Sequence, residues 1–455
     1  MPNNLTENQI IEIWQHQLLE RKRLVTEGGE SIEIVYPGRR NDDRGADFRD
    51  AVIVTRRGLM KGDVEVHVKS SGWREHRHHR DVVYNRVILH VVMWHNTKRA
   101  TCLQNGREVP VLALNNYIKT PLSHWRNGDG SLTRRNRHCL AVAPRRATAS
   151  VAGFLDRAGE ERFLAKAARF QADLAQVAAS QCLYRGIMGA LGYSRNKLPF
   201  LELAGRLPLT MLESITQGVV SDEECLARQQ ALLLGTAGLL PSQRRNKPPE
   251  NDWDDGWLDK LERRWTSCRR SRVMSADAWH LFKIRPNNSP IRRLVAMSYL
   301  LLRYRERGLL AGLISLVKEA PLSRGDHRLE KGLLVTTSGY WASHLDFGPG
   351  GKISSPTLLG KGRAADIIVN VLLPFTFAWG AATAQAEAVR QAFNLYRRYP
   401  RLTVNSVERQ MTAQLGLSRR LVNSAQRQQG LIHIYNNLCS QGRCNSCPLK
   451  NQKTL

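Results

Sequence analysis

The sequence predicts an α/β domain at its N-terminal end followed by a mainly α-helical region, and three observations carry that division. Between residues 31 and 114, apolar residues recur at the two-residue period of strands, in short runs broken by turn residues. Beyond residue 150 the runs are rich in Ala, Leu, Glu, Arg and Lys at helical spacing. Between them, Arg134 to Arg146 is basic, carries Cys139 and Pro144, and has the composition of a linker. The organisation expected is 1–120 for the α/β domain, 121–150 for a basic linker, 151–438 for a helical domain and 439–455 for a Cys-rich, metal-binding tail.

Residues 6–24 are expected to be a helix, with Thr6 as N-cap, Gln9 as its capping-box partner, and Ile10, Ile13, Trp14 and Leu18 at helical spacing. Glu12 is read as lying beside that apolar face. Ser31–Tyr36 alternates as a strand and Pro37-Gly38 breaks it. Asp47–Thr55 holds the apolar run Ala51-Val52-Ile53-Val54, and Arg56-Arg57-Gly58 is a turn. In Asp63–Lys69, Val64, Val66 and Val68 share one face and Asp63, Glu65, His67 and Lys69 the other. Trp73–Asp81 is polar and His-rich, and Arg86–Trp94 has the unbroken apolar character of a buried central strand. Thr101–Leu103 and Val109–Leu114 form a final hairpin around Asn105-Gly106. In the helical region, Arg285 to Pro290 is a stiff turn that opens a helix, Gly348–Gly351 is a loop, and Ala365–Trp379 is the most apolar helix.

Lys plus Arg number 68 against 40 Asp plus Glu, a formal charge of +28 and a pI near 10.3. With 42% hydrophobic residues the chain can bury a core, so this charge belongs to a folded protein and points to a polyanionic partner, most simply nucleic acid. The basic residues are spread along the chain, which disfavours a membrane-surface role. No signal-peptide pattern opens the sequence, and Ile367–Trp379, interrupted by Asn370 and Pro374, is too short to span a bilayer. A cytoplasmic location is expected. Eight cysteines, five scattered and three clustered, do not form a disulfide framework.

Four groups of residues carry chemistry. The first is Glu12, Asp47, Glu65 and either His67 or Lys69: carboxylates that would hold a divalent ion, beside a cation or base that would serve an attacking water. An antiparallel pairing of the two strands would bring Asp47 beside Glu65; on a solvent-facing strand edge the same residues would be ordinary surface charges. The second is the run Arg74, His76, Arg77, His78, His79 and Arg80, with His67 and His90. Interleaved arginines favour phosphate contact, and close histidines alternatively ligate a transition metal or act as base; His90 is read as a core histidine. The third is Cys439, Cys444 and Cys447, three thiols in nine residues followed by Pro448, which point to an iron–sulfur cluster or zinc with His433, Cys182 or Cys139 as fourth ligand. The fourth is Arg195 and Asn196, which would touch a ligand or close a packing turn; Arg292, Arg293, Arg419 and Arg420 are candidates to extend a phosphate surface.

Gly45-Ala46-Asp47, then Glu65-x-His67 across a turn, preceded by a helical Glu12, resembles the active-site layout of the PD-(D/E)xK nuclease superfamily. That resemblance implies a restriction-endonuclease-like fold, a mixed sheet with flanking helices. It further implies Mg²⁺ on Asp47 and Glu65, assistance from Glu12, and His67 where the family has lysine. PGRRNDDRGADFRDA, GDVEVHVKSSGW, YNRVILHVV, LYRGIMGALGYSRNKLPFLELA, RPNNSPIRRL and RCNSCPL also resemble a bacterial family known as domain of unknown function 2851, over essentially the whole chain. The expected function is a metal-dependent nuclease, with DNA the favoured substrate, gripped by the basic helical domain. The alternative is a non-catalytic nucleic-acid-binding protein on a degenerate nuclease fold.

Overall fold

The structure, a computed structural model, describes residues 5–15, 17–19, 24–41, 45–118, 148–193, 195–244, 256–268, 273–281, 286–322, 327–347, 356–418, 420–441, 443 and 446–448. The chain divides into two compact units. One comprises Met1–Gly159, Val404–Asn423 and Arg427–Leu455; the other comprises Glu160–Thr403 and Ser424–Gln426. These bounds differ from the 151–438 and 439–455 division expected from composition. Helix Ser406–Leu415 and nearly all of helix Ala425–Asn437 belong with the N-terminal sheet rather than with the helices they follow. Composition registers helix, and it does not register what a helix packs against. Most of the expected linker at 121–150 lies outside the described residues.

The N-terminal unit is built on a mixed sheet. Its strands are β1 (Leu24–Val25), β2 (Ser31–Tyr36), β3 (Arg39–Arg40), β4 (Phe48–Thr55), β5 (Gly58–Lys69), β6 (Val87–Trp94) and β9 (Val111–Ala113), in the order β1-β2-β4-β5-β6-β9 with β3 beside β4. Strands β2, β4 and β5 pair antiparallel, and β5, β6 and β9 pair parallel. The short strands β7 (Thr101–Cys102) and β8 (Glu108–Val109) make the hairpin around Asn105-Gly106, where Gly106 takes a φ of +82°. Between β4 and β5 the turn is Arg56-Arg57, with Thr55 paired to Gly58. The β5-to-β6 crossover is short: helix α2 (Gly72–Glu75), preceded in the chain by α1 (Glu7–Gln15), and two 3-10 turns, His78–Arg80 and Val82–Tyr84.

Helix α1 starts as its sequence directs, with the Gln9 side chain accepting the Thr6 backbone N–H at 2.9 Å. It ends sooner than the expected residue 24. Gln17 adopts a φ of +48° and the Leu18 N–H reaches back to the Ile13 carbonyl at 3.0 Å, a closure that satisfies terminal carbonyls without glycine. Ile10, Ile13 and Trp14 bury against Val64, Val66, Leu89 and Val91 of the sheet.

A β-bulge sets the register that matters most. Phe48 pairs with Val64, but Ala51 pairs with Gly62, so one extra residue of β4 is accommodated between them. Asp50 sits there with a φ of +59°, and its N–H donates to Asp63 Oδ1 at 3.1 Å. Without the bulge, Asp47 would stand across from Val66. With it, Asp47 stands across from Glu65, on the same face.

The other unit is helical. Its core gathers Leu183, Ile187, Leu233, Leu294, Leu313 and Leu372 among many others. The helical run Lys361–Ala382 is long and apolar enough to cross a membrane by length and composition, exceeding the stretch judged from sequence, and its most apolar window is 67% buried in the fold. Its segment Ile368–Leu372 is π-helical and directly precedes the turn holding Pro374, whose missing N–H breaks the regular ladder. Helix Pro290–Arg303 opens on proline as expected. Arg292 and Arg293 are buried, however, and donate to the Trp341, His344 and Leu358 carbonyls at 2.9, 2.6 and 2.6 Å, so they hold the core and do not extend a phosphate surface. Asn196 exchanges hydrogen bonds of 2.9 and 2.8 Å with the His280 backbone, the packing-turn alternative. Arg420 is exposed, while Arg419 and the Gly348–Gly351 loop lie outside the described residues.

Candidate functional site

Glu65 and His67 point from β5 to the face opposite Val64 and Val66, yet they are only 6% and 1% exposed. That excludes a solvent-facing strand edge for this pair. Glu65 Oε2 accepts the Asp47 backbone N–H at 3.0 Å, and Asp47 Oδ2 accepts the Val66 N–H at 3.0 Å. Each carboxylate is thus anchored through one oxygen, and the two are locked to each other's strand. Burial, then the charge of Glu65, raises the Asp47 pKa to about 7. Burial raises Glu65 to about 8, with the Asp47 N–H opposing the shift. A third carboxylate, Glu7 in the first turn of α1, adds its charge to Asp47, Glu65 and His78.

An imidazole network fills the rest of the site. His67 Nδ1 lies 2.9 Å from His90 Nε2, and His90 Nδ1 lies 3.1 Å from Thr101 Oγ1. His67 Nε2 lies 3.0 Å from His76 Nδ1 and 3.8 Å from Glu65 Oε1. His78 Nε2 is 3.0 Å from the same Glu65 Oε1, but it is out of line for a hydrogen bond to it and, shielded from water, has no hydrogen-bond partner among the described residues. Burial lowers His67 to about 2, His90 to about 3 and His78 to about 4, with neighbouring imidazoles reinforcing the first two and Asp47 opposing the last. The rings are therefore neutral and carry lone pairs.

Local backbone features make this geometry. His76 and His78 flank Arg77, which takes a left-handed φ of +61°, a conformation that costs a non-glycine residue about 1–2 kcal/mol. Gly72 lies against the His67 ring: a Cβ there would sit 2.7 Å from its Cδ2. Trp73, buried, packs edge-on to His78 at 5.3 Å and tilts over His90 at 5.3 Å, and its Nε1 donates to the Cys102 carbonyl at 2.9 Å.

The sequence-derived site residues fall into three groups. Asp47, Glu65, His67, His76 and His78 come together. Arg74, Arg77 and Arg80 are exposed around the crossover, and His76, Arg77 and Arg80 line an open pocket of about 410 Å³ with Asp81, Val82 and Gln104; His79 is half-buried in the same crossover. Glu12 and Lys69 stand apart. Glu12 pairs with Arg40 at 3.0 Å on the surface, 47% exposed, and Lys69 is exposed at the end of β5. Two expectations change. His78 is not a surface phosphate contact, because Trp73 and Tyr84 enclose it, the Tyr84 ring at 3.9 Å. Glu12 is paired with Arg40 on the surface, and the helix carboxylate whose charge is felt by Asp47 and Glu65 is Glu7.

The C-terminal cysteines are partly visible. Cys439 is buried and Cys447 half-buried in one apolar cluster of the N-terminal unit. Cys444 and Cys139 lie outside the described residues. His433 is engaged with Asn437, and Cys182 is in the core of the helical unit.

Residues 7–403 match the family model described as a protein of unknown function, DUF2851, and the chain belongs to that family. No curated protein and no solved structure matches it significantly.

Proposed function

We propose that this DUF2851 protein is a metal-dependent nuclease that hydrolyses phosphodiester bonds in nucleic acid, DNA in preference to RNA, in the cytoplasm. The observation that carries this reading is the reciprocal lock of half-buried Asp47 and buried Glu65 beside neutral imidazoles, bordered by the exposed Arg74, Arg77 and Arg80. The order of elements supports a restriction-endonuclease-like fold of the PD-(D/E)xK kind: a helix bearing a carboxylate, an antiparallel pair bearing Asp and Glu-x-His, then a crossover to a parallel strand. Each carboxylate keeps one oxygen clear of its backbone hydrogen bond, which suits Mg²⁺ or another divalent ion. Such an ion supplies Lewis-acid polarisation of a phosphoryl oxygen. Arg77 and Arg80 neutralise phosphate at the pocket rim. His67, neutral and hydrogen-bonded on both nitrogens, cannot supply the positive charge of the family lysine. The arginines take that part. The C-terminal cysteines fit an iron–sulfur or zinc staple, and the +28 charge fits a chain that grips a polyanion.

Incubation of the purified full chain with single- and double-stranded DNA and RNA, with Mg²⁺, Mn²⁺ or Zn²⁺, tests the reading. Cleavage is expected from the wild type and a loss of at least ~100-fold in Asp47→Ala and Glu65→Ala. Absence of cleavage, or cleavage unchanged in both variants, overturns it. The uncharged state of His67 specifically favours a second reading, a non-catalytic binder; salt-sensitive binding without cleavage selects that one.

A further inference from the structure

We infer that Glu65, His67, His76 and His78 form a transition-metal site of the zinc-binding class. The site deepens the reading above by naming its ion, but the binding argument stands without the nuclease. One ligand atom from each of the three histidines lies within 4.8 Å of the others. His67 Nε2 and His76 Nδ1 are 3.0 Å apart, and His78 Nε2 and Glu65 Oε1 are 3.0 Å apart. Two ligands of a tetrahedral zinc, each at about 2.0–2.1 Å, are separated by roughly 3.4 Å, so these pairs already have nearly the required spacing.

The orphaned nitrogen of His78 is the second observation. Its side chain is 9% exposed, and Nε2, 3.0 Å from Glu65 Oε1 without a hydrogen bond to it, has no hydrogen-bond partner among the described residues. A buried polar atom in that state needs an explanation, and an ion shared with the Glu65 oxygen supplies one. The orientation of His67 agrees. With the proton on Nδ1, the ring donates to His90 Nε2, and His90 in turn donates from Nδ1 to Thr101 Oγ1; this leaves the Nε2 lone pair of His67 facing the cluster. Such a buried relay behind a ligand fixes tautomer and ring angle. The ligands also have the usual mix of rigidity: Glu65 and His67 are two apart on a central strand, while His76 and His78 come from the crossover that closes over them, turned together by the left-handed Arg77. Three imidazole nitrogens and one carboxylate oxygen select zinc, cobalt or nickel over magnesium.

The test is metal binding by the full chain without nucleic acid. Protein stripped with chelator is titrated with Co²⁺ and then Zn²⁺, and metal content is measured after desalting. One ion per chain is expected at this site with the visible bands of four-coordinate cobalt in nitrogen and oxygen ligation; any ion held by Cys439 and Cys447 is told apart by its thiolate charge-transfer band. His76→Ala, a change at an exposed side chain, and the double variant His76→Ala/His78→Ala should weaken that ion by at least tenfold, and His79→Ala should leave it unchanged. Circular dichroism of each variant confirms that it is folded. Absence of the nitrogen-and-oxygen cobalt signature, or its persistence unchanged in the folded double variant, overturns the inference. Zinc binding without any cleavage keeps the site and discards the nuclease; Mg²⁺-dependent cleavage with no transition-metal binding does the reverse.

Discussion

At the scale of single residues, the site depends on what presses against His67. A methyl group at position 72 would collide with the ring at 2.7–2.9 Å from Cδ2 and Cγ, so Gly72→Ala must move either the helix or the imidazole. Overpacking of this kind costs about 1–3 kcal/mol. The expected outcome is a folded protein with a lowered Tm and metal affinity reduced ~10–100-fold, the range seen when support behind a ligand is disturbed. Calorimetric titration of zinc into the variant checks it; unchanged affinity would show that His67 is not held by this contact. The same residues give metal-free protein a pH signature. Asp47 and Glu65 titrate near 7 and 8 in the fold and near 4 when unfolded, so above about pH 6.5 the folded state binds more protons and stability falls as pH rises. His67, His78 and His90 titrate near 2, 4 and 3 in the fold but near 6.5 unfolded. Below about pH 6 the unfolded chain therefore binds more protons and stability falls as pH drops. Chelator-treated protein should have its Tm maximum close to pH 6, and zinc should reduce the decline on the alkaline side by taking the place of the Glu65 proton. Thermal melts from pH 4.5 to 8.5, with and without zinc, decide this; a flat profile would sink it.

At the scale of elements, the decisive feature is the bulge in β4. Asp47 reaches Glu65 only because one extra residue is stored at Asp50, pinned by Asp63. Asp63→Ala should free the Asp50 N–H and allow the strand to slip, lowering stability by about 1–3 kcal/mol through the unsatisfied donor and lowering metal affinity at the same time. Asp50→Gly, which tolerates a φ of +59° without strain, should retain both, whereas Asp50→Val should lose both. If Asp50→Val binds metal as the wild type does, the bulge does not set the register. This element also marks where the sequence was readable. The alternation in β5 and the apolar run of β6 identify the strands, and an antiparallel pairing brings Asp47 near Glu65 without fixing the register between them. The bulge leaves no mark in an alternation pattern, since one left-handed Asp has no composition of its own. Glu7 was visible in principle. Taking the buried Ile10, Ile11, Ile13 and Trp14 at 100° per residue, Glu7 falls within the buried arc and Glu12 nearly opposite. Glu12 neighbours the apolar residues in sequence but not on the helix surface. His78 was hidden for a different reason: a run of His and Arg looks uniformly polar, and only the tertiary placement of Trp73 and Tyr84 separates one buried histidine from its exposed neighbours.

At the scale of the whole molecule, the N-terminal unit is completed by residues far along the chain. The family match ends at residue 403, and the unit draws in Val404–Asn423 and Arg427–Leu455. The contacts are of core quality. Met411, Leu415, Leu431 and Ile434 are buried with Tyr36 and Val52 of the sheet, the Tyr36 and Tyr435 rings meet edge-on at 6.1 Å, Arg39 donates to Ser406 Oγ, and Gln410 Nε2 donates to the Tyr36 hydroxyl. Tyr36 and Val52 lie on β2 and β4, the latter being the strand that carries the bulge and follows Asp47. Removal of residues 404–455 would expose these side chains, each worth about 1.5–3 kcal/mol of burial, and together more than the margin of a typical domain. The truncated chain should therefore lose the cooperative melting of the sheet unit and bind zinc weakly, although every proposed ligand from Glu65 to His78 is still present. Far-UV circular dichroism, thermal melting and zinc titration on the truncated and full-length proteins provide the comparison. A truncated protein with unchanged sheet signal and full affinity would mean that the C-terminal helices are accessory. Loss of both would explain why a site built from residues 47 to 78 belongs to a chain of this length: the strands that align its carboxylates are held from behind by the far end of the sequence.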